Sequence, residues 1–431
     1  MANGKTQMST RGIERMSERE TSRGDDFGRR AGMAGPLPLC VPSNLQEDLL
    51  DLLDLTRVRE VYGKLQEDPL GGGRSSLILP RVSRRMAARH IRSFRDRGIS
   101  FNYLLNATCM DNREFTRQGR RQIEDTLAFA LDCGADVVTV SIPFLLELTR
   151  ALHPGLRVAV STMTGVDSPE MAAYFQKLGA DRITLSVTDV NRDFERLAAI
   201  RRQFKGELQV IANLECLRGC PFTRHHGNIN SHSSQTGHES GGFVVDVCYL
   251  SCSTLRLEDP GHFFKAGWIR PEDQHHYAAV GIDSIKLVSR AMASEQIARI
   301  VSAYTAGRYE GNLLDLFSHP TNNLAYRNRS RWSELKYMLK PSRMNLWRLS
   351  RYKDVFRWPI PTIDNRSLDG FIDFFVQGKC RPSECEVRCR YCFEVAERTF
   401  RMDEVERRKA LEQLGRLKRD LLSGDIFRWG P

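Results

Sequence analysis

The chain has 431 residues, 64 basic against 53 acidic side chains for a formal charge of +11, and eleven cysteines. That length buries a large core and fits one big domain with an appendage. No run approaches the ~18–20 apolar residues of a membrane span, and residues 1–30 lack an apolar signal-peptide core. The cysteines are therefore expected in a reducing cytoplasm, as thiols or metal ligands.

Residues 1–35 are rich in Gly, Ser, Arg and Glu and read as a disordered leader. A short apolar run at Leu37–Val41 follows, then a capping signal and a helical pattern over Leu45–Leu55. From there an alternation repeats. Further strand-like runs lie at Arg59–Leu65, Ser100–Ala107, Asp136–Ile142, Arg157–Ser161, Arg182–Val187, Leu208–Leu214 and Ser284–Val288. Helical patterns separate most of them: Ser83–Asp96, Glu114–Cys133, Leu145–Leu152, Ser168–Leu178, Val190–Phe204 and Ser294–Ala306. Strand–helix alternation implies parallel strands, and eight such units predict an α/β fold of the (β/α)8 TIM-barrel type over residues 36–310. An open doubly wound sheet is the rival; no Gly-x-Gly-x-x-Gly fingerprint supports a dinucleotide site within it. The turns at Gly134-Ala-Asp136, Gly179-Ala-Asp181 and Gly281-Ile-Asp283 sit where helix gives way to strand, where glycine suits a left-handed helix end.

In a barrel the strand C-termini carry the chemistry. That nominates Tyr62 and Gly63, Asn106 with Cys109, Ser141 and Pro143, and Ser161 with Thr162. Each of these is more often a loop or cap residue than a catalyst. The seventh strand stands apart because it runs into Glu215 and Cys216-Leu-Arg-Gly-Cys220-Pro221, then a loop of His, Asn, Ser and Gly, then Cys248-Tyr-Leu-Ser-Cys252. Two Cys-x3-Cys pairs suit a four-thiolate site, either Zn²⁺ or a [4Fe–4S] cluster, and spacing alone does not choose. Buried or disulfide-bonded cysteines are the bland alternative. His225, His226, His232 and His238 in the intervening loop can hydrogen-bond to such a site, serve in proton transfer, or merely cover it.

Residues 311–431 form a basic C-terminal extension, and most of the excess charge lies beyond Arg327. It can serve RNA or another polyanion, or be a solvated arginine-rich surface. Arg327–Pro361 interleaves basic residues with Trp332, Tyr337, Trp347, Tyr352, Phe356 and Trp358; such aromatics stack nucleotides or pack the extension onto the barrel. Beyond it, Cys380-x4-Cys385-x3-Cys389-x2-Cys392 forms a second tetrad, followed by an amphipathic helix over Asp403–Leu422. The last three cysteines have the Cys-x3-Cys-x2-Cys spacing of radical S-adenosylmethionine enzymes, but no barrel follows them. A fully ligated auxiliary [4Fe–4S] cluster or a structural zinc is the simpler reading.

The segment Gly281-Ile-Asp-Ser-Ile-Lys286-Leu-Val-Ser-Arg290, with Trp268-Ile-Arg-Pro-Glu-Asp273 before it, resembles the closing-strand motif of the collagenase-like peptidases, peptidase family U-32. The likeness extends over about residues 37–310. It implies a (β/α)8 barrel with a [4Fe–4S] site, here at Cys216, Cys220, Cys248 and Cys252, and oxygen-independent hydroxylation of RNA bases or ubiquinone precursors with prephenate as oxygen source. The sequence departs from the family pattern in three places: Glu215 abuts Cys216, the second cysteine pair comes after a long His/Asn/Ser loop, and Val288-Ser289 replaces the usual Glu-Gly. The expectation is a cytoplasmic iron–sulfur enzyme acting on an RNA base or small aromatic metabolite, with Glu215, His225 and His226 in proton transfer. An electron-donor protein and a homo- or hetero-oligomeric assembly are the partners this reading allows, with no membrane. The alternatives are a peptidase or other hydrolase, although no Gly-x-Ser-x-Gly or His-Glu-x-x-His occurs, and a zinc-containing RNA-binding protein.

Overall fold

The computed structural model describes residues 36–427 except 67, 77–78, 80, 319–344, 353–354 and 356–357. The expected leader over residues 1–35, and Trp332, Tyr337 and Phe356, lie outside the described residues.

Eight parallel strands close into a barrel in sequence order. They are β1 (Leu39–Pro42), β2 (Val58–Gly63), β3 (Ser100–Leu105), β4 (Val137–Val140), β5 (Arg157–Val160), β6 (Arg182–Thr184), β7 (Glu207–Ile211) and β8 (Ser284–Lys286). Closure is made by β1 against β8, with Leu39 beside Ile285 and Cys40 beside Lys286. Helices α1 (Arg84–Asp96), α2 (Arg117–Cys133), α3 (Pro143–Leu152), α4 (Pro169–Lys177) and α5 (Phe194–Gln203) follow β2 to β6 in turn. The β7–β8 connection carries α6 (Thr223–Ser233), α7 (Val247–Glu258), α8 (Gly261–Lys265) and α9 (Gln274–Ala279), and α10 (Ser294–Ala306) follows β8.

Helix starts follow local chemistry: Ser83, Thr116 and Ser168 each accept an N–H from the first turn of α1, α2 and α4. The three Gly-x-Asp turns form a repeated joint. Gly134, Gly179 and Gly281 take φ of +96°, +88° and +89°. Two residues on, Asp136, Asp181 and Asp283 accept the N–H of Phe101, Val158 and Leu208, near the start of the preceding strand. Each carboxylate also meets an arginine from an earlier helix: Arg95 at 3.2 Å, Arg150, and Arg201 at 2.8 Å. A Cβ on Gly134 would lie 2.6 Å from the flexible end of Arg95, which can shift, so it is the left-handed backbone that calls for glycine.

Two expectations differ in detail. The pattern over Leu45–Leu55 contracts to a single turn at Leu49–Leu52, because Leu45 has φ +58° and Leu53 is extended. The His/Asn/Ser/Gly stretch is not wholly loop: Thr223–Ser233 is helical. Its residues are poor helix formers, and tertiary contacts hold it instead. Gly227 packs on Thr108 and Met163; Asn230 Oδ1 accepts Ser75 N–H, and Ser231 Oγ accepts Thr108 N–H.

The C-terminal residues pack on the same body. Leu368, Phe371, Phe375 and Val395 join the barrel's main apolar core, with α11 (Tyr391–Thr399) against α8. The last helix, α12 (Glu404–Ser423), packs on α7 through Leu414 and Leu417, and Tyr352 and Trp358 are buried in that second cluster. These two aromatics pack rather than present a stacking face, whereas Trp347 is exposed.

Candidate active site

The barrel interior is layered. Toward the N-terminal end, Glu60 from β2 and Arg182 from β6 pair through two bonds of 2.7 and 2.8 Å. Arg182 also meets Glu207 at 3.0 Å, and Glu207 is shared with Arg59 and Arg157. Asn102 and the Cys40 thiol donate to Glu60, and Thr139 donates to Asn102. Both members of the pair are 2% exposed. Arg182 holds the Glu60 carboxyl down to about 2 against the opposing effect of burial.

Above this layer the charge is one-sided. Lys286, at the end of β8, is buried with its ammonium 4.0 Å over the Tyr62 ring. Arg290 is buried nearby, and burial together with Arg74 lowers its guanidinium to about 10. Burial also lowers Lys286, against the pull of Cys40 and Glu60. Among the described residues neither Lys286, Arg290 nor Arg74 has a carboxylate ion pair; Lys64, by contrast, is paired with Asp68 at 2.8 Å. The two buried cations Lys286 and Arg290, with the half-buried Arg74 near them, fit an anionic ligand at the C-terminal mouth of a barrel.

The first tetrad sits on this mouth. Leu214 and Cys216 pack against Tyr62, Leu104, Ile211 and Val288, the apolar lining of the upper barrel. Cys248 and Cys252 come one helical turn apart from α7. The four sulfurs are neighbours in electrostatic terms: ionised Cys252 and Cys220 both oppose ionisation of Cys216, and Cys220 and Cys252 oppose that of Cys248. Burial is the larger cause, and both thiols are pushed up to about 12. Arg256, buried beside them, favours the thiolates. Such a donor set lacks a soft cationic group, and four thiolates around a larger space are what a cluster takes.

The candidate acid–base residues are divided by the fold. Glu215 is held by Arg256, which donates to its backbone oxygen at 2.7 Å and lies 3.8 Å from its carboxylate. It lines a cavity of about 30 Å³ with Tyr249, Ser253 and Trp358, room for about one water. Burial raises its carboxyl, with Arg256 opposing. His226 lies 3.0 Å from Asp246, the N-cap of α7, while His225 is exposed. His232 and His238 are stacked at 4.7 Å and both reach Asp111, away from the tetrad.

The second tetrad adjoins the first through one side chain. Arg218, inside the Cys216–Cys220 turn, donates to Cys380 Sγ at 3.0 Å. Ionised Cys380, Cys385 and Cys389 all oppose ionisation of Cys392, which burial pushes up to about 12. Arg218, Lys265 and Arg192 supply positive charge around the set. These four sulfurs likewise offer the thiolates that a cluster takes.

Sequence reasoning gave no sign of Glu60–Arg182 or of the Ser43–His90 pair, 2.8 Å apart after β1. The latter has nucleophile–base geometry, yet Ser43 is 2% exposed and caps Leu45 through its oxygen. It holds a turn and offers no surface to a peptide. No helix among the described residues is long and apolar enough to cross a membrane.

The sequence model of peptidase family U32 matches residues 84–214. An uncharacterized protease of Methanocaldococcus jannaschii is 25% identical over 371 residues, covering 84% of this chain and 98% of that protein. A solved U32 peptidase aligns with a TM-score of 0.44 at 23% identity, over 59% of this chain and 94% of its own. An (S)-mandelate dehydrogenase mutant aligns at 0.34 and 13%, over 71% and 83%. With the family match inside the barrel and a relative 25% identical over most of the chain, the chain is similar to peptidase family U32.

Proposed function

We propose that the chain is an iron–sulfur enzyme that carries out oxygen-independent modification, of the hydroxylation type, on an RNA base or small aromatic metabolite bearing an anionic group. The carrying observation is the meeting of Cys216 with the upper barrel lining, beside the unpaired cations Lys286, Arg290 and Arg74. Cys216, Cys220, Cys248 and Cys252 would hold a [4Fe–4S] cluster, and Cys380, Cys385, Cys389 and Cys392 a second cluster or a zinc ion. When bound, a cluster supplies Lewis acidity or electron relay.

The chain's own residues bind and orient. Lys286 and Arg290 neutralise the ligand's anionic group, and their burial strengthens that attraction. Tyr62 gives the ligand a ring face, since its hydroxyl is spent on Leu287 O at 2.9 Å. His226, hydrogen-bonded to Asp246 two positions before Cys248, is the candidate group for proton transfer.

Iron, sulfide and the visible spectrum of protein purified without oxygen test the reading. Brown protein that loses about four iron and four sulfide in a Cys216→Ala/Cys220→Ala variant supports it. A Cys385→Ala/Cys389→Ala variant reports on the second tetrad in the same way. Colourless protein holding two zinc ions, with salt-sensitive RNA affinity, would replace it with the binding-protein reading. Peptide hydrolysis that survives iron chelation would replace it with the peptidase reading.

A further inference from the structure

We infer that the loop after β3 and helix α6 together form a separate binding site for one zinc-type divalent transition-metal ion, with Cys109, Asp111 and His232 as ligands. Their donor atoms all lie within 4.8 Å of one another, the one such set among the described residues. The detailed spacing suits a single ion. Cys109 Sγ and His232 Nε2 approach the same oxygen, Asp111 Oδ1, at 3.6 and 3.2 Å. A tetrahedral zinc with ordinary bond lengths places sulfur and nitrogen about 3.5 and 3.3 Å from a carboxylate oxygen.

A second observation points the same way. His232 Nε2 is buried and has no hydrogen-bond partner, although the carboxylate is so close. A buried ring nitrogen without a bond is costly unless something else satisfies it. The carboxylate is fixed from behind. His238 Nδ1 accepts the N–H of Ser240, so its Nε2 carries the proton and donates to Asp111 Oδ2 at 2.9 Å. That leaves Oδ1 turned to the thiol and to His232, an outer contact of the kind that orients metal ligands.

The loop is shaped for this arrangement. Asp111 and Asn112 both have φ above +50°, which turns the carboxylate back on Cys109, and Asp111 N–H lies 3.5 Å from the sulfur. Gln235 Nε2 donates to Cys109 O at 2.7 Å, so the end of α6 and the loop are already in register. Thiolate, imidazole and carboxylate together select zinc or a neighbour over magnesium or calcium. Asp111 is exposed on its other side, which leaves a fourth position to water. The site is independent of both cysteine tetrads.

Wild-type protein, purified without oxygen, is titrated with Co²⁺, and Zn²⁺ is then added in competition. One equivalent should give a thiolate-to-cobalt charge-transfer band that persists in Cys216→Ala/Cys220→Ala, disappears in Cys109→Ser and weakens in His232→Gln. His238→Asn should lower affinity by about 10–100-fold. In the unaltered protein, Zn²⁺ should also slow alkylation of Cys109 as read by peptide mapping, which does not depend on any variant folding. A band that loses none of its intensity in Cys109→Ser, or alkylation of Cys109 indifferent to Zn²⁺, would reduce the set to a thiol–carboxylate hydrogen bond and overturn the site.

Discussion

The two ends of the barrel interior treat charge in opposite ways. At the lower end, the carboxylates of Glu60 and Glu207 are both paired, with Arg182, Arg59 and Arg157 around them, and the carboxylate of Glu60 gains further donors. At the mouth, Lys286 and Arg290 are buried without a carboxylate ion pair among the described residues, and Glu60 and Asp68 act on them only from a distance. A closed ion network fixes strand register and leaves nothing for a ligand. Desolvated cations without partners cost stability and are retained where a bound anion offsets that cost.

The contrast breaks most sharply at Arg182. Arg182→Met should destabilise the fold by about 3–5 kcal/mol, because Glu60 is left charged and buried. Chemical unfolding measures it, and a loss below 1 kcal/mol would show that the lower network is not closed as described. Acid tests the same pair. Glu60 has its folded pKa, about 2, below the ordinary 4.5, so its stabilisation is complete above about pH 4.5 and is lost as pH falls toward 2. The loss should be on the order of 3 kcal/mol, and Glu60→Gln should flatten that part of the profile.

At the mouth the opposite behaviour is expected. Lys286→Met or Arg290→Met should weaken binding of prephenate or of an aromatic carboxylate by about 2 kcal/mol, roughly thirtyfold, while the unfolding midpoint holds or rises. Calorimetric titration beside thermal melting separates these effects; a fallen midpoint with unchanged affinity would make the two ends alike. The smallest effect concerns the scaffold both ends share. Gly134→Ala should cost about 1–2 kcal/mol through the left-handed backbone, with the nearby Arg95 side chain displaced. Equal stability in that variant would remove the Gly-x-Asp joint from the account.

The strands were legible because parallel barrel strands bury both faces and appear as short apolar runs, as at Val137–Val140 and Leu208–Ile211. The glycine turns were legible for the same local reason, but their aspartates' bonds to preceding strands were not. Helix α6 was missed since its residues favour loops, and only its contacts with Thr108, Ser75 and Met163 make it helical. The cysteines announced themselves by spacing, yet nothing in the spacing said that Arg218 joins one tetrad to the other across 162 positions of chain.

The amino-acid order alone therefore determined the alternation of strands and helices, their closing turns and the two cysteine-rich segments, because each depends on residues within a few positions. Tertiary structure decided which charges are paired: Glu60 with Arg182, Asp111 with His232 and His238, and Lys286 with none among the described residues. Electrostatic pairing depends on distance in space and on exclusion of water, and both arise only when the barrel closes.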